Sequence, residues 1–193
     1  MRRPRNLLGP QAMGGMVSLW GAPSLIQSVQ RGTFTLAAAT SGTATITAVK
    51  TENTVLMFLG MTQSEANPNL APAAGRITLT NATTITGTLG YNAANAIFSY
   101  EVVEYLPGVI RSVQLGTVAV AGNASATATV TAVRTDKSHL SLLGWSMTTV
   151  AAPVADVYAV NAVLTNATTV TAARDAADAS NQITAAFQLV EWF

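Results

Sequence analysis

Apolar and polar positions alternate with a period of two along most of this chain, and that period predicts β-strands. Between residues 43 and 49, Thr43, Thr45 and Thr47 face one way while Ala44, Ile46 and Ala48 face the other. Thr84, Thr86 and Thr88 alternate with Ile85, Gly87 and Leu89 in the same manner. β-branched threonine suits a pleated, half-solvated surface, so these runs predict antiparallel sheets with a threonine face in water and an apolar face in the core. Nearer residue 105, Tyr100 and Val102 are expected to point inward and Glu101 outward. The later run 187–189 has the same phase, which puts Phe187 and Leu189 inside and Gln188 on the wet side. Six strands are predicted over the first part of the chain, at 26–36, 42–49, 54–61, 75–81, 84–89 and 97–105. Gly32 and Gly116 interrupt good strands, which predicts a bulge or a close backbone contact at each. Asn81-Ala82 and Asn166-Ala167 lie between strand-like runs and predict turns. The one helical competitor is 171–180, whose Ala-rich run through Arg174 and Asp175 predicts a helical turn in a loop.

The pattern also repeats. Ile26-Gln-Ser-Val-Gln-Arg-Gly-Thr33 returns 84 positions later as Ile110-Arg-Ser-Val-Gln-Leu-Gly-Thr117, and Thr43–Val49 returns as Thr127–Val133. Leu59-Gly60 returns as Leu143-Gly144 at the same offset, Leu79–Thr86 as Leu164–Thr171 at 85, and Tyr100–Tyr105 as Phe187–Trp192 at 87. Collinear blocks whose spacing drifts so little indicate tandem duplication rather than chance Ala/Thr similarity. The small drift places the length differences between 61 and 76 and between 89 and 97. The expected organisation is an extended arm over 1–25, a β-sandwich over 26–108 and a second over 109–193, joined at Leu106-Pro107-Gly108. Units of this size match small antiparallel sandwiches, and the fold class is all-β. Strand count does not decide between a jelly-roll and an immunoglobulin-like topology.

Equivalent positions that change character are informative. The run 54–61 reads Val-Leu-Met-Phe-Leu at its centre, apolar on both faces, whereas its later copy Ser138-His-Leu-Ser-Leu-Leu alternates. Leu56 and Phe58 match Leu140 and Leu142 on the inner face, while Val55 and Met57 match His139 and Ser141 on the outer one. Val55 and Met57 are therefore expected to be covered by the arm, by the second repeat or by another subunit.

Composition narrows the chemistry. The chain has 193 residues, no cysteine, one histidine, 10% charged residues and a net charge of +1. Absence of cysteine removes disulfides, thiol catalysis and cysteine metal sites. One histidine cannot form a two-histidine metal site. A charge near zero lacks the basic footprint of a nucleic-acid binder, and no apolar run approaches membrane-spanning length. His139 has Asp136 as its nearest carboxylate, but that residue precedes the strand, so no catalytic pair is expected. Glu101 and Glu104 should face opposite sides of one strand. Asp175 and Asp178 are too few for calcium, which takes about six to eight oxygens. No catalytic residue, metal or cofactor is expected.

The arm stands apart. Arg2, Arg3 and Arg5 are its only charges, and Gly9-Pro10 and Gly14-Gly15 break any apolar core of a signal peptide. Leu7, Leu8, Leu19 and Trp20 cannot bury themselves within so short an extended segment, so the arm is expected to be a strap laid over a partner.

The repeated Ser-Val-Gln-x-Gly-Thr, Thr-Ala-Thr-Ile-Thr-Ala-Val and Leu-Thr-Asn-Ala-Thr-Thr-Ile-Thr motifs, with Ser99-Tyr-Glu-Val-Val-Glu-Tyr105, resemble small all-β accessory proteins of tailed-phage virions. They are most similar to head decoration or cement proteins. The resemblance implies a homo-oligomer that clamps the major capsid protein at the outer capsid surface. It also implies assembly in the host cytoplasm, with no nucleic-acid or membrane partner. The arm residues named above, with Val55 and Met57, are then the expected partner-binding set. The alternative is a tail or adsorption protein that binds host-surface carbohydrate. Its aromatic platforms would be Tyr91, Trp145, Tyr158 and Trp192-Phe193.

Overall fold

The chain is all-β. The computed structural model describes residues 24–64, 74–91, 95–148 and 159–193. The first part contains β1 (Ile26–Ala37), β2 (Ser41–Thr45), β3 (Thr54–Ser64), β4 (Gly75–Asn81), β5 (Thr84–Leu89) and β6 (Asn95–Tyr105). The second contains β7 (Ile110–Val120), β8 (Ser125–Thr129), β9 (Ser138–Met147), β10 (Asn161–Asn166), β11 (Thr169–Ala173) and β12 (Ile183–Trp192). Single 3-10 turns at Thr51–Asn53 and Thr135–Lys137 lead into β3 and β9.

The strands form three antiparallel sheets, ordered β1-β6-β3, β10-β11-β8 and β2-β5-β4-β9-β12-β7. In the first half the order is 1-6-3 and 2-5-4. Counting from β7, the second half has the same order, and β4 meets β9 through the pair Arg76–Gly144. Local bonding recurs as well. Gln30 donates to the Thr47 carbonyl (3.0 Å) and accepts from the Thr47 amide (2.8 Å). Gln114 does the same with Thr131, at 2.9 and 2.7 Å. Asn81 Oδ1 accepts from the Thr83 amide and Asn166 Oδ1 from the Thr168 amide, each at 2.9 Å, which closes the two expected turns.

Alternation places the expected faces. Ile85, Gly87 and Leu89 are buried between half-buried threonines, and Phe98, Tyr100 and Val102 point inward. The first core gathers Leu36, Leu56, Ile77, Ile85, Phe98 and Val102, with Phe34 stacked on Phe98 at 5.2 Å. The second gathers Val118, Val170, Phe187 and Leu189.

Three expectations are corrected. β2 ends at Thr45, not at 49. Beyond it, Ile46 and Val49 donate their amides to Thr83 and Ala82 in the β4–β5 turn, while the Gln30 side chain takes the place of a strand partner for Thr47. Gly32 and Gly116 sit in regular register, and the reason for glycine is steric: a Cβ would stand 2.7 Å from Tyr100 Oη and 2.5 Å from Phe187 Cζ respectively. Register shifts lie elsewhere, among them where β3 pairs with β6 near Gly60 and where β9 pairs with β12 near Gly144. The segment after β11 is not helical. There the buried Arg174 guanidinium donates to the carbonyls of Asn123, Asp178 and Asn181 at 2.7–2.9 Å, and these tertiary bonds override helix propensity.

Gly60 and Gly144 have φ of +110° and +89°, a region that side chains with a Cβ rarely adopt. Their surroundings differ. A Cβ on Gly144 would stand 2.2 Å from the Gly75 carbonyl oxygen, whereas one on Gly60 would meet no described atom within 4 Å. Gly60→Ala is expected to cost about 1–2 kcal/mol, the strain alone. Gly144→Ala should cost clearly more, because β4 must move away from β9. Urea unfolding of the two variants side by side checks the difference, and equal costs would contradict it.

Candidate functional site

Several of the described charged side chains are taken up by the fold. Glu104, buried near the end of β6, accepts from Ser28 Oγ (3.2 Å) and from the Lys50 amide (3.0 Å). Glu191 in β12 accepts from Arg134 Nε (2.8 Å) and the Arg134 amide (3.2 Å), with Arg111 Nε at 3.7 Å. The hydrogen bond from the Arg134 side chain, supported by its amide and by the charge of Arg111, holds the Glu191 carboxyl below the usual glutamate range despite burial. Asp178 is likewise held low, chiefly by the Asn181 side-chain amide and the Ser180 amide. Glu101 faces the other side of β6 from Glu104 and pairs with Arg31. His139 is exposed on β9, and Asp136 lies in the 3-10 turn before it. Among the described residues no cluster of three or more His, Asp or Glu side chains could hold a metal ion. Nor is any helix there long and apolar enough to cross a membrane.

The informative geometry is the seam between the halves. Strand β12 is buried on both faces: Ala185, Phe187 and Leu189 belong to the second core, while Ala186 joins the first. Gln188, expected on the wet side, is fully buried. Its Oε1 accepts from the Leu56 amide (2.9 Å) and its Nε2 donates to the Thr54 carbonyl (3.1 Å). The amide thus pairs with the backbone of β3, the outermost strand of its sheet. Leu143 of β9 also enters the first core. The sequence signal was present in the replacement of Glu101 by Gln188, a loss of charge at one strand position.

Val55 and Met57 part company. Val55 is buried with Ile110 and Val190, and Tyr105, Val113 and Trp192 pack around them. It is therefore covered by the second half of the same chain and is not offered to an outside partner, which corrects its place in the expected binding set. Met57 remains 38% exposed. The strand pairings put Val29, Met57, Leu59 and Ile97 on the outer side of the β1-β6-β3 sheet, all exposed, around the Arg31–Glu101 pair. Ile26, paired with Tyr105 at the start of β1, and Leu25 before it are exposed as well. Arg2, Arg3, Arg5, Leu7, Leu8, Leu19 and Trp20 lie outside the described residues.

Of the aromatic platforms, Tyr91 and Trp145 pack against Met147 and Ile183, and Trp192 packs edge-on against Tyr105 at 5.2 Å. Phe193 is exposed, and Tyr158 lies outside the described residues. No known protein family, characterised protein or solved structure matches the chain.

Gln188→Met keeps the volume and removes the amide, leaving the Leu56 N–H and the Thr54 carbonyl without partners. It is expected to lower the unfolding free energy by roughly 2–4 kcal/mol in urea titrations; a change near zero would mean that water or a shift of β3 replaces the amide. Because Glu191 titrates below its ordinary range in the fold, its contribution is present above the unfolded-state pKa and is lost as pH falls through the folded one. Glu191→Gln should therefore melt earlier than the parent at pH 7, and its melting temperature should fall less steeply on acidification below about pH 4. Parallel melts from pH 7 to 2 check both signs.

Proposed function

We propose that the chain is a non-enzymatic structural protein of a virion: two tandem antiparallel sandwich units on an extended arm, binding the outer capsid surface as a decoration or cement protein. The observation that carries this reading is the use to which the polar groups are put. The buried charges Glu104, Arg174 and Glu191 are each tied to backbone amides or carbonyls, and Gln188 joins one half to the other. Such groups stiffen a body and leave its surface to do the work. The resemblance of the repeated motifs to phage accessory proteins supplies the setting. The partner is then the major capsid protein, reached through the arm. Arg2, Arg3 and Arg5 seek acidic surface, and Leu7, Leu8, Leu19 and Trp20 cover apolar surface. Assembly takes place in the host cytoplasm, and the protein then travels in the particle. The carbohydrate-binding alternative draws less support, because Tyr91, Trp145 and Trp192 are engaged in packing.

Immunogold labelling of intact particles from the source, with antibody raised against residues 26–193, tests the placement. Regular label over heads is the expected result. Label confined to tails would favour the adsorption reading, and no label with accessible epitopes would overturn both. Deleting residues 2–20 should abolish attachment to heads and leave the sheets folded by circular dichroism; undiminished attachment would remove the arm from the proposal.

A further inference from the structure

The covered and uncovered sheet faces are built alike. Leu143 and Gly144 form the irregularity in β9, where Leu143 is 1% exposed and β4 lies against Gly144. Leu59 and Gly60 form the same feature in β3, 84 positions earlier, but Leu59 is 57% exposed and a Cβ on Gly60 would meet no described atom within 4 Å. Beside Gly60 a cleft of about 190 Å³ is walled by Phe58 and Met61 of β3, by Ala74 and Gly75 at the start of β4 and by Trp145 of β9, while the Leu59 side chain stays outside. Among the described residues one bulge is thus occupied and its twin is not.

The edge that fills the occupied bulge also has a twin. β4 reaches β9 through Arg76, which pairs with Gly144 and donates from Nε to Ser146 Oγ at 3.0 Å. Asn161, 85 positions after Arg76, holds the equivalent place in β10, the outermost strand of its sheet. Thr62 stands in β3 where Ser146 stands in β9, so a hydroxyl is available at the open bulge too. Where Gln188 supplies an acceptor and a donor to the β3 backbone, the open face carries Glu101 paired with Arg31, again an acceptor beside a donor. The open face is also the more apolar of the two, with Met57 and Ile97 at the positions of Ser141 and Thr184.

We propose that the chain binds a second copy of itself head to tail, the β10 edge of one copy lying along the Leu59–Gly60 bulge of the next, as β4 lies along β9 within each chain. A contact made once inside the chain, with each of its surfaces repeated in the other half and unpaired among the described residues, is heterologous by construction. Exposed strand edges pair readily with another chain. The inference goes beyond placement on a virion and does not depend on it.

The test uses the full-length protein in sedimentation velocity over a concentration series, with two variants. Leu59→Arg closes the open bulge and, at an exposed position, leaves the core intact. Asn161→Pro, at the first residue of β10, spoils the opposite edge. The parent should form species beyond the monomer that grow with concentration. Leu59→Arg should weaken this by about 100-fold or more, as for loss of a central contact. Each variant alone should stay monomeric, and an equimolar mixture should form a dimer and nothing larger, since one good surface of each kind remains. Met57→Arg, on the same exposed face, should reproduce Leu59→Arg, which guards against a local folding defect. A monomeric parent, association unaffected by Leu59→Arg, or dimers formed by Asn161→Pro alone would each overturn the proposal, the last in favour of face-to-face packing. The chain has no cysteine, so Leu59→Cys gives a single thiol for labelling. Its reactivity should fall as parent concentration rises. Protection that is independent of concentration and disappears when residues 1–23 are removed would assign the face to the arm instead.

Discussion

Burial of Gln188 is the constraint from which the arrangement of the halves follows. A central strand with a core on one side can leave its other side wet, but β12 has a core on one side and the first half of the chain on the other. A polar side chain there is tolerated only when both ends of its amide are matched, since each buried unpartnered group costs about 1–3 kcal/mol. The Leu56 amide and the Thr54 carbonyl supply that match. One side chain thereby satisfies two backbone groups of an edge strand and sets how far along β12 the first half can sit. Val55 against Val190, Leu143 in the first core and Arg76 against Gly144 are the apolar and backbone contacts consistent with that position. The chain is one continuous body because its longest sheet runs through both halves.

Side chains that imitate backbone recur wherever a strand stops. Gln30 and Gln114 extend the pairing past the ends of β2 and β8, and Glu104 and Glu191 receive the amides of Lys50 and Arg134 just before the 3-10 turns. A chain with only 10% charged residues places two of its nine acids in this role. The two are not equal. Glu191 gains arginine partners where Glu104 has a serine and a backbone amide, so the second half concentrates ionic bonding at its staple.

Strand positions were legible because alternation is a local property, and the offset of 84 to 87 residues gave every strand an independent second reading. What alternation cannot report is whether an outward face stays wet. Gln188 was assigned to solvent by phase alone, and only a partner 132 positions away made it interior. Val55 was read as covered for the right reason, an apolar residue on an outward face, but the coverer is part of the same chain. The loop after β11 failed differently. Its alanines favour a helix, yet Arg174 finds three loop carbonyls and Asp178 caps Ser180 and Asn181, bonds between residues whose types carry no periodicity. The glycines were legible as special and misread in kind: Gly32 and Gly116 make room for an aromatic ring across the strand, while the bulges belong to the Leu-Gly pairs that the repeat had already matched.

The outer faces differ in what they can bind. Thr43, Thr78 and Thr86 line up across β2, β5 and β4, and Thr127 and Thr171 do so across β8 and β11. On each of these sheets a pair of hydroxyls is bonded to one another, Thr80 to Thr86 and Thr165 to Thr171. Hydroxyls already bonded to one another gain little from a new contact, so these threonine faces offer little to a partner. The β1-β6-β3 face has apolar side chains where those have threonine. Burial of apolar area contributes about 25 cal/mol per Å², so an association with this protein draws more from that face than from either threonine face of the same size. The two halves, alike in strand order, therefore do not present equal surfaces. Among the described residues one face is covered inside the chain and its counterpart is exposed, and the asymmetry between Leu143 and Leu59 is the clearest expression of it.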